Sequence, residues 1–406
     1  MPYGFWLYEK LYSYKVLYFI GQFNMKFIKG DFATIKNKKK IAILLATLNS
    51  KDYIDEMILS LFGQSFDDFC IFVHDDGSKD DTQVILEDYE RTYPDKIVIM
   101  NYPATGSAKA NFFSMMEAVE SDYYMFADHD DVWLKDKLKL SFEKIKEIET
   151  KEETILNIND VDTTVIKSTT ASNESAENPP QSENLAVDEL PGKPSANNSN
   201  DIGHKSAKYL SPACAFTDMY VTDADLNITS SSFVRFIDRD PCNLDYHRLI
   251  IDNPAAGCSM IFNRALRDKA MECENLDNID MHDHFLISLA AVVGNVAFID
   301  LPLNYYRQHG DNEMGAGVSE SAKDKVLRNL KEFFSGKARA NKRAFNDISR
   351  KLAAEIVKVS GIAEDKKAEL EAFANIGKKG KLCRIAFYSK HGFDRKSGNF
   401  WFYIWL

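Results

Sequence analysis

Four continuous apolar runs, each followed by a polar turn and a helix-periodic stretch, constrain this chain more than any other feature of it. Ile41–Ala46, Phe69–His74, Lys96–Met100 and Tyr123–Ala127 read as strands. Between them lie an apolar-periodic helix ending near Phe62, one carrying Val84, Leu86 and Tyr89 that Asp80 can cap, and one over Ser107–Val119; a fourth follows over Leu134–Ile148. Runs without polar alternation are strands buried on both faces. Right-handed βαβ crossovers then give a mostly parallel sheet flanked by helices, an α/β fold of Rossmann-like character. Further along, the apolar run Ala213–Thr217, a helix from Phe262 to Cys273, a helix over His282–Val293 and a strand over Val296–Asp300 complete the expected domain.

The rest of the 406 residues is read by composition. Residues 1–38 mix aromatics and lysines as an amphipathic segment, either packed on the domain or lying on a bilayer. Residues 150–208 are rich in Asn, Ser, Asp, Glu and Pro and poor in aromatics, the composition of a disordered insertion inside the 39–315 domain. Residues 316–406 read as a helical extension. Its stretch from Lys378 to Leu406 combines Lys and Arg with Phe387, Tyr388, Phe393, Phe400, Trp401, Phe402, Tyr403 and Trp405, which suits either an anionic membrane interface or packing over the domain. A net charge of −11 argues against nucleic acid as a partner. The six cysteines form no CxxC, so a reducing compartment without structural zinc is expected. Glu9, Lys10, Lys15 and Lys26 break the N-terminal apolar stretch, which therefore reads neither as a signal peptide nor as a membrane span.

In an open parallel sheet, ligands bind beyond the carboxyl ends of the strands. Strand one is followed by Thr47 and Asn49, strand two by Asp75-Asp76-Gly77-Ser78, and strand four by Asp128-His129-Asp130-Asp131 and then Trp133. One aspartate at a strand end is most often a helix cap. Two acidic clusters on one edge point to a hard divalent cation, Mn²⁺ or Mg²⁺, which binds carboxylate and phosphate oxygens together.

The stretches Ala46–Asn49, Val73–Thr82, Gly106–Phe112 and Ala127–Trp133 resemble, in order and spacing, the motifs of family 2 glycosyltransferases of the GT-A fold. The resemblance resumes at Phe216–Asp223, Asn253–Phe262, His282–Phe285 and Tyr306–Asn312, and is greatest to bacterial rhamnosyltransferase-like members that build surface polysaccharides. It implies a nucleotide-diphospho-sugar transferase. Asp75 would bond the nucleobase with Thr47 and Asn49 nearby, and Asp76, Gly106 and Asn111 would belong to the nucleotide-sugar site. Asp128 and Asp130 would hold the metal and ribose, supported by Asp131 and Trp133. His309 would reach the metal or diphosphate, Arg307 would offset phosphate charge, and Asp283 would be the catalytic base. Leu48, His129 and His284 stand where the family often has Tyr, Gln and an aromatic residue.

Such an enzyme would join a nucleotide-sugar donor to a hydroxyl of a glycan or lipid-linked acceptor, inverting the anomeric centre. It would work in the cytoplasm, with a membrane surface as a candidate partner. The bland reading of Asp283 is an acid at a helix N-terminus, of Arg307 a salt bridge, and of His309 a surface loop residue. A receiver-like signalling domain would need an acidic pair after strand one, and a nucleotidyltransferase a Gly-rich basic loop there; neither is present. A catalytically inactive glycan- or nucleotide-binding relative is the alternative.

Overall fold

The computed structural model describes residues 34–150, 210–309 and 336–394. The first half runs β1 (Ile35–Lys36), β2 (Ile41–Thr47), α1 (Ile54–Phe62), β3 (Phe69–Asp75), α2 (Thr82–Thr92), β4 (Ile97–Ile99), α3 (Ala108–Ala118), β5 (Val119–Glu120), β6 (Tyr123–Asp128) and β7 (Val132–Trp133). Helix α4 then covers 137–150. The second half runs β8 (Ala213–Thr222), β9 (Ile228–Ser230), α5 (Phe233–Phe236), α6 (Tyr246–Ile251), β10 (Met260–Asn263), α7 (Arg264–Ala270), α8 (His282–Val293) and β11 (Asn295–Arg307). Three helices follow, α9 (Gly336–Ile356), α10 (Glu364–Asn375) and α11 (Lys381–His391). The insertion expected at 150–208 lies, but for Thr150, outside the described residues, as do most of the 1–38 segment and the tail beyond Asp394.

The main sheet has the order β4-β3-β2-β6-β10-β8-β11-β7, with β9 beside β8. Its first half is parallel: β2 pairs with both β3 and β6, and β3 with β4. β10 runs antiparallel to β6 and β8, and β8 and β11 are parallel. Two reversals through β10 return β8 and β11 to the direction of β2, so their carboxyl ends reach the same edge.

β2 is buried throughout, and its side chains divide by period two. Ile41, Ile43 and Leu45 join α1 residues Ile54, Met57, Ile58 and Leu61 on one face. Ala42, Leu44 and Ala46 join Phe112 and Met116 of α3 and Phe285 and Leu289 of α8 on the other.

Two expected boundaries are corrected. Met260–Asn263 is a strand, and the helix read from Phe262 spans only Arg264–Ala270. The Met-Ile-Phe run satisfies its backbone between β6 and β8, and the Asn263 side chain caps α7 by accepting from Leu266 N. β11 continues past the expected end at Asp300 to Arg307, through register shifts around Pro302, which has no N–H to give the ladder. Of the tail aromatics, Tyr388 and Phe393 are core residues stacked around Phe373 and not interfacial ones. No helix among the described residues is long and apolar enough to cross a membrane.

Asn263 ties four segments together. Its amide donates to Glu149 Oε1 (2.9 Å) and Ser211 O (2.8 Å), and its oxygen accepts from Ala213 N (3.0 Å) and Leu266 N (3.1 Å). Asn263→Ala is expected to destabilise the protein by about 2–3 kcal/mol, through a lost cap and stranded buried groups. The midpoint of urea unfolding checks this, and a change within error of the parent would refute it.

Candidate active site

The register sets the acidic edge. Thr47 at the end of β2 lies opposite Asp75 of β3, and Ala46 lies opposite Asp128 of β6. β11 ends at the same edge, beside the end of β8, with Arg307 opposite Thr222. Since α8 runs back to the start of β11, its head, with Asp283, is at that edge too.

On the β3 side the carboxylates are engaged by their own loops. Asp75 accepts from Thr47 Oγ1 (3.0 Å), Gly77 N (3.2 Å), Ser78 N (2.9 Å), Gln83 Nε2 (2.7 Å) and the Ser78 hydroxyl. Burial pushes its pKa up, but the bonds from Ser78 and Gln83 outweigh this and hold it below the usual carboxylate range. Asp76 accepts from Thr105 and, at 2.9 Å, from Gly106 N, fixing the loop before α3; Gly106 has φ +76°, which a glycine adopts without strain. Asn49, at φ +49°, takes the left-handed region that asparagine tolerates and bridges to the same turn through Lys79 N (2.8 Å). Asn111 is buried beneath the edge. Its amide oxygen meets His74 Nδ1 at 2.7 Å and its Nδ2 donates to His74 O at 3.3 Å, so it supports β3 from below and does not line the cleft.

The β6 side gathers a denser cluster. His309 Nε2 lies 2.9 Å from Asp130 Oδ2, and its ring stacks on Tyr53 at 4.9 Å. Arg307 lies over the same tyrosine and is buried. Its guanidinium donates to Asp130 O (2.8 Å), to Ala224 O (2.6 Å) and to the Glu56 carboxylate of α1. Arg307 thus makes a salt bridge and binds three segments of protein together.

Beneath lies a buried network that sequence reading missed. Asp131 accepts from Asn304 Nδ2 (3.1 Å), and Lys137 donates to Asn304 Oδ1 (3.0 Å) and Cys258 O (2.5 Å) while lying 4.0 Å from the Trp133 ring centroid. Lys137 is fully buried, and burial pulls its pKa down. Burial, and then the neighbouring Asp130 charge, pushes Asp131 up. Trp133 packs in the floor. A lone lysine on a helix reads as solvated, and nothing in the sequence marks Lys137, Tyr53 or Cys258.

Among the described residues, the ligating atoms that come within 4.8 Å of one another are those of Asp128, Asp131 and Cys258. Burial pushes the Cys258 thiol well up, and the nearby carboxylates add to this, so it remains a protonated donor to Asp131 and a poor ligand for a hard cation. The Asp130–His309 pair, with Asp128 on the adjoining strand end, offers the carboxylate and imidazole donors that Mn²⁺ or Mg²⁺ accepts.

Asp283 opens the first turn of α8 and is partly buried. Its Oδ1 accepts from His284 N (2.6 Å), and the Gly257 N–H dipole also lowers the proton affinity of the carboxylate. Burial, and after it the Asp280 carboxylate, outweighs both and pushes Asp283 up to about 7.

Residues 42–152 match the Glycosyl transferase family 2 profile. The dTDP-rhamnosyl transferase RfbG of Shigella flexneri is 28% identical over 290 residues, covering 70% of this chain and 78% of that one. Poly(ribitol-phosphate) beta-N-acetylglucosaminyltransferase TarS of Staphylococcus aureus is 32% identical over 102 residues, which is 25% of this chain and 18% of TarS. The solved structure of TarS 1–349 in complex with UDP-GlcNAc superposes at a TM-score of 0.45 and 16% identity, covering 82% of this chain and 71% of that one, too distant a likeness to say anything of the site. Residues 42–152, the parallel half of the sheet, therefore carry a Glycosyl transferase family 2 domain.

Arg307→Lys leaves two of the three acceptors of the buried guanidinium without a donor, because an ammonium cannot span them. It is expected to cost about 2 kcal/mol of stability. Thermal unfolding at neutral pH would show this, and an unchanged transition would mean the guanidinium bridge is dispensable.

Proposed function

We propose that this chain is a metal-dependent, inverting glycosyltransferase. It moves a sugar from a dTDP- or UDP-sugar to a hydroxyl of a glycan or lipid-linked oligosaccharide in surface polysaccharide synthesis. The observation that carries the reading is the meeting of Asp130 with His309 at 2.9 Å, two residues along the chain from Asp128 at the end of β6, on the edge where α8 begins with Asp283. The likeness to a protein named dTDP-rhamnosyl transferase favours dTDP-rhamnose as the donor.

In this reading Asp128, Asp130 and His309 hold Mn²⁺ or Mg²⁺. When bound, the ion neutralises the leaving diphosphate as a Lewis acid. Asp75, Asp76, Thr47, Asn49 and Gly106 shape the nucleotide side. A nucleobase N–H reaching Asp75 displaces Gln83, whose bond is the exposed one of the set. Asp283 takes the proton of the acceptor hydroxyl as it attacks the anomeric carbon from the face opposite the diphosphate. A carboxylate with pKa near 7 is basic enough to accept that proton and largely ionised just above neutrality.

Calorimetry with dTDP and UDP, with and without Mn²⁺, is expected to give metal-dependent binding of one nucleotide that Asp130→Ala abolishes. Binding of neither nucleotide under any metal condition would overturn the reading.

Asp283→Asn is expected to lower transfer about 10²–10⁴-fold while nucleotide binding stays within twofold. The parent's kcat/KM should rise with pH through about 7 as Asp283 ionises. Stability should move the other way. A carboxyl whose folded pKa lies above its unfolded value disfavours folding once ionised, so Asp283→Asn should raise Tm at pH 8 and leave it unchanged near pH 3, where both states are protonated. Equal Tm at pH 8 would mean the carboxylate is not held in a hostile site.

The basic aromatic residues beyond Asp394 supply the membrane-surface part of the proposal. Truncation must begin there, because Tyr388 and Phe393 are core. Loss of residues 395–406 is expected to move the protein out of the membrane fraction, and retention there would dismiss the tail as an anchor.

A further inference from the structure

His282, the residue before Asp283, is 4% exposed, and neither ring nitrogen has a hydrogen-bond partner. Its ring lies 4.4 Å from that of Phe112 and meets Phe126 edge-on at 4.7 Å and 87°. Its remaining edge fills the space where residue 257 has no side chain: a Cβ on Gly257 would lie 2.5 Å from Nε2 and 3.3 Å from Cε1. Burial holds the imidazole neutral, its pKa down to about 3. The glycine's absent side chain therefore makes room for a ring of the protein itself.

Gly257 is also the residue whose N–H lowers the proton affinity of the Asp283 carboxylate. Residues 282 and 283 are joined covalently, and both bear on the same glycine, one by shape and one through its N–H dipole. With no polar partner, the ring acts through its volume alone.

We propose that His282 is a positioning residue: wedged into the space left by Gly257, its ring holds the Gly257 N–H toward the Asp283 carboxylate and so fixes where that carboxylate points. This rests on Asp283 as the base. The Asp280 carboxylate, in the same loop, raises the proton affinity of Asp283, and Lys109 of α3, whose Nζ donates to Leu276 O (3.0 Å) and Ile279 O (2.6 Å), acts on Asp280 and on the His282 ring. A change confined to residues 257 and 282 removes neither charge.

The test is a size exchange read on the base itself. In full-length protein labelled with ¹³C at the aspartate carboxyls, the Asp283 resonance is the one missing from Asp283→Asn. Gly257→Ala, which forces the ring and turn apart, is expected to raise the Asp283 titration midpoint by about one pH unit, because the carboxylate loses that N–H dipole. His282→Ala should shift it the same way by less. The double variant, in which the alanine methyl enters the space the ring vacates, should return the midpoint toward that of the parent. Release of dTDP from dTDP-rhamnose should show the same non-additive pattern in the acid limb of kcat/KM. Additive shifts, or loss of turnover with the midpoint unmoved, would overturn the proposal by reducing the contact to ordinary packing. Should Gly257→Ala not fold, an unmoved midpoint in His282→Ala alone overturns it. Turnover surviving in Asp283→Asn would instead remove the base assignment and leave the positioning result to be judged on the titration.

Discussion

β2 is buried on both faces, so each of its peptide groups must be met by a neighbouring strand. β3 and β6 meet them in parallel, and the register is held by side-chain size. A slip of one residue would turn Ile41, Ile43 and Leu45 toward α3 and α8, and bring Ala42 and Ala46 against α1. The placement of Asp75 beside Thr47 and of Asp128 beside Ala46 is thus a by-product of apolar packing. The chemistry at the edge is positioned by residues that take no part in it.

That packing crowds carboxylates together, and each one is accommodated differently. Asp75 is held ionised by backbone N–H groups and short side chains of its own loop, and Asp76 accepts from the Gly106 N–H. Asp130 meets an imidazole. Asp131, deepest of the group, meets an amide whose other end is held by a buried lysine. Asp283 accepts from the His284 N–H yet remains above the carboxylate range, because burial outweighs it. Carboxylates on one edge, with environments that push their affinities for protons apart, are what a reaction needing both a cation site and a base requires.

How much of this was legible follows from which signals are local. The parallel half shows in the sequence because continuous apolar runs of six or seven residues have few alternatives to a buried strand. β10 does not show, because Met260–Phe262 is short and runs straight into helical periodicity at Arg264. The far end of β11 is hidden by Pro302, a residue that ordinarily argues against a strand. Within the site, the acids at the strand ends are visible as positions. The partners that engage them are not: Arg307 reaches Glu56 across 251 residues, and Lys137 reaches Asn304 across 167. A side chain's type can be read along a chain, but a long-range bond partner exists only once the sheet has brought the two ends together.

The helical C-terminal region bears on the site through α8. At its far end α8 has unsatisfied carbonyls, and Lys366 of α10 donates to one of them, Val292 O, at 3.0 Å. Along its length, His284 and Ser288 both bond Leu249 O of α6, at 2.9 and 3.0 Å. α6 in turn is tied to α10 by Tyr246 Oη donating to Glu369 (2.6 Å). The helix that presents Asp283 is therefore held at its head by the Gly257 turn, in its middle by α6 and at its tail by α10. In the role proposed above, Asp283 must stay aimed while its carboxylate sits in a site that penalises its charge. Among the described residues, α10 reaches α8 directly through Lys366 and indirectly through α6, so the C-terminal helices help to fix where the first turn of α8 is held.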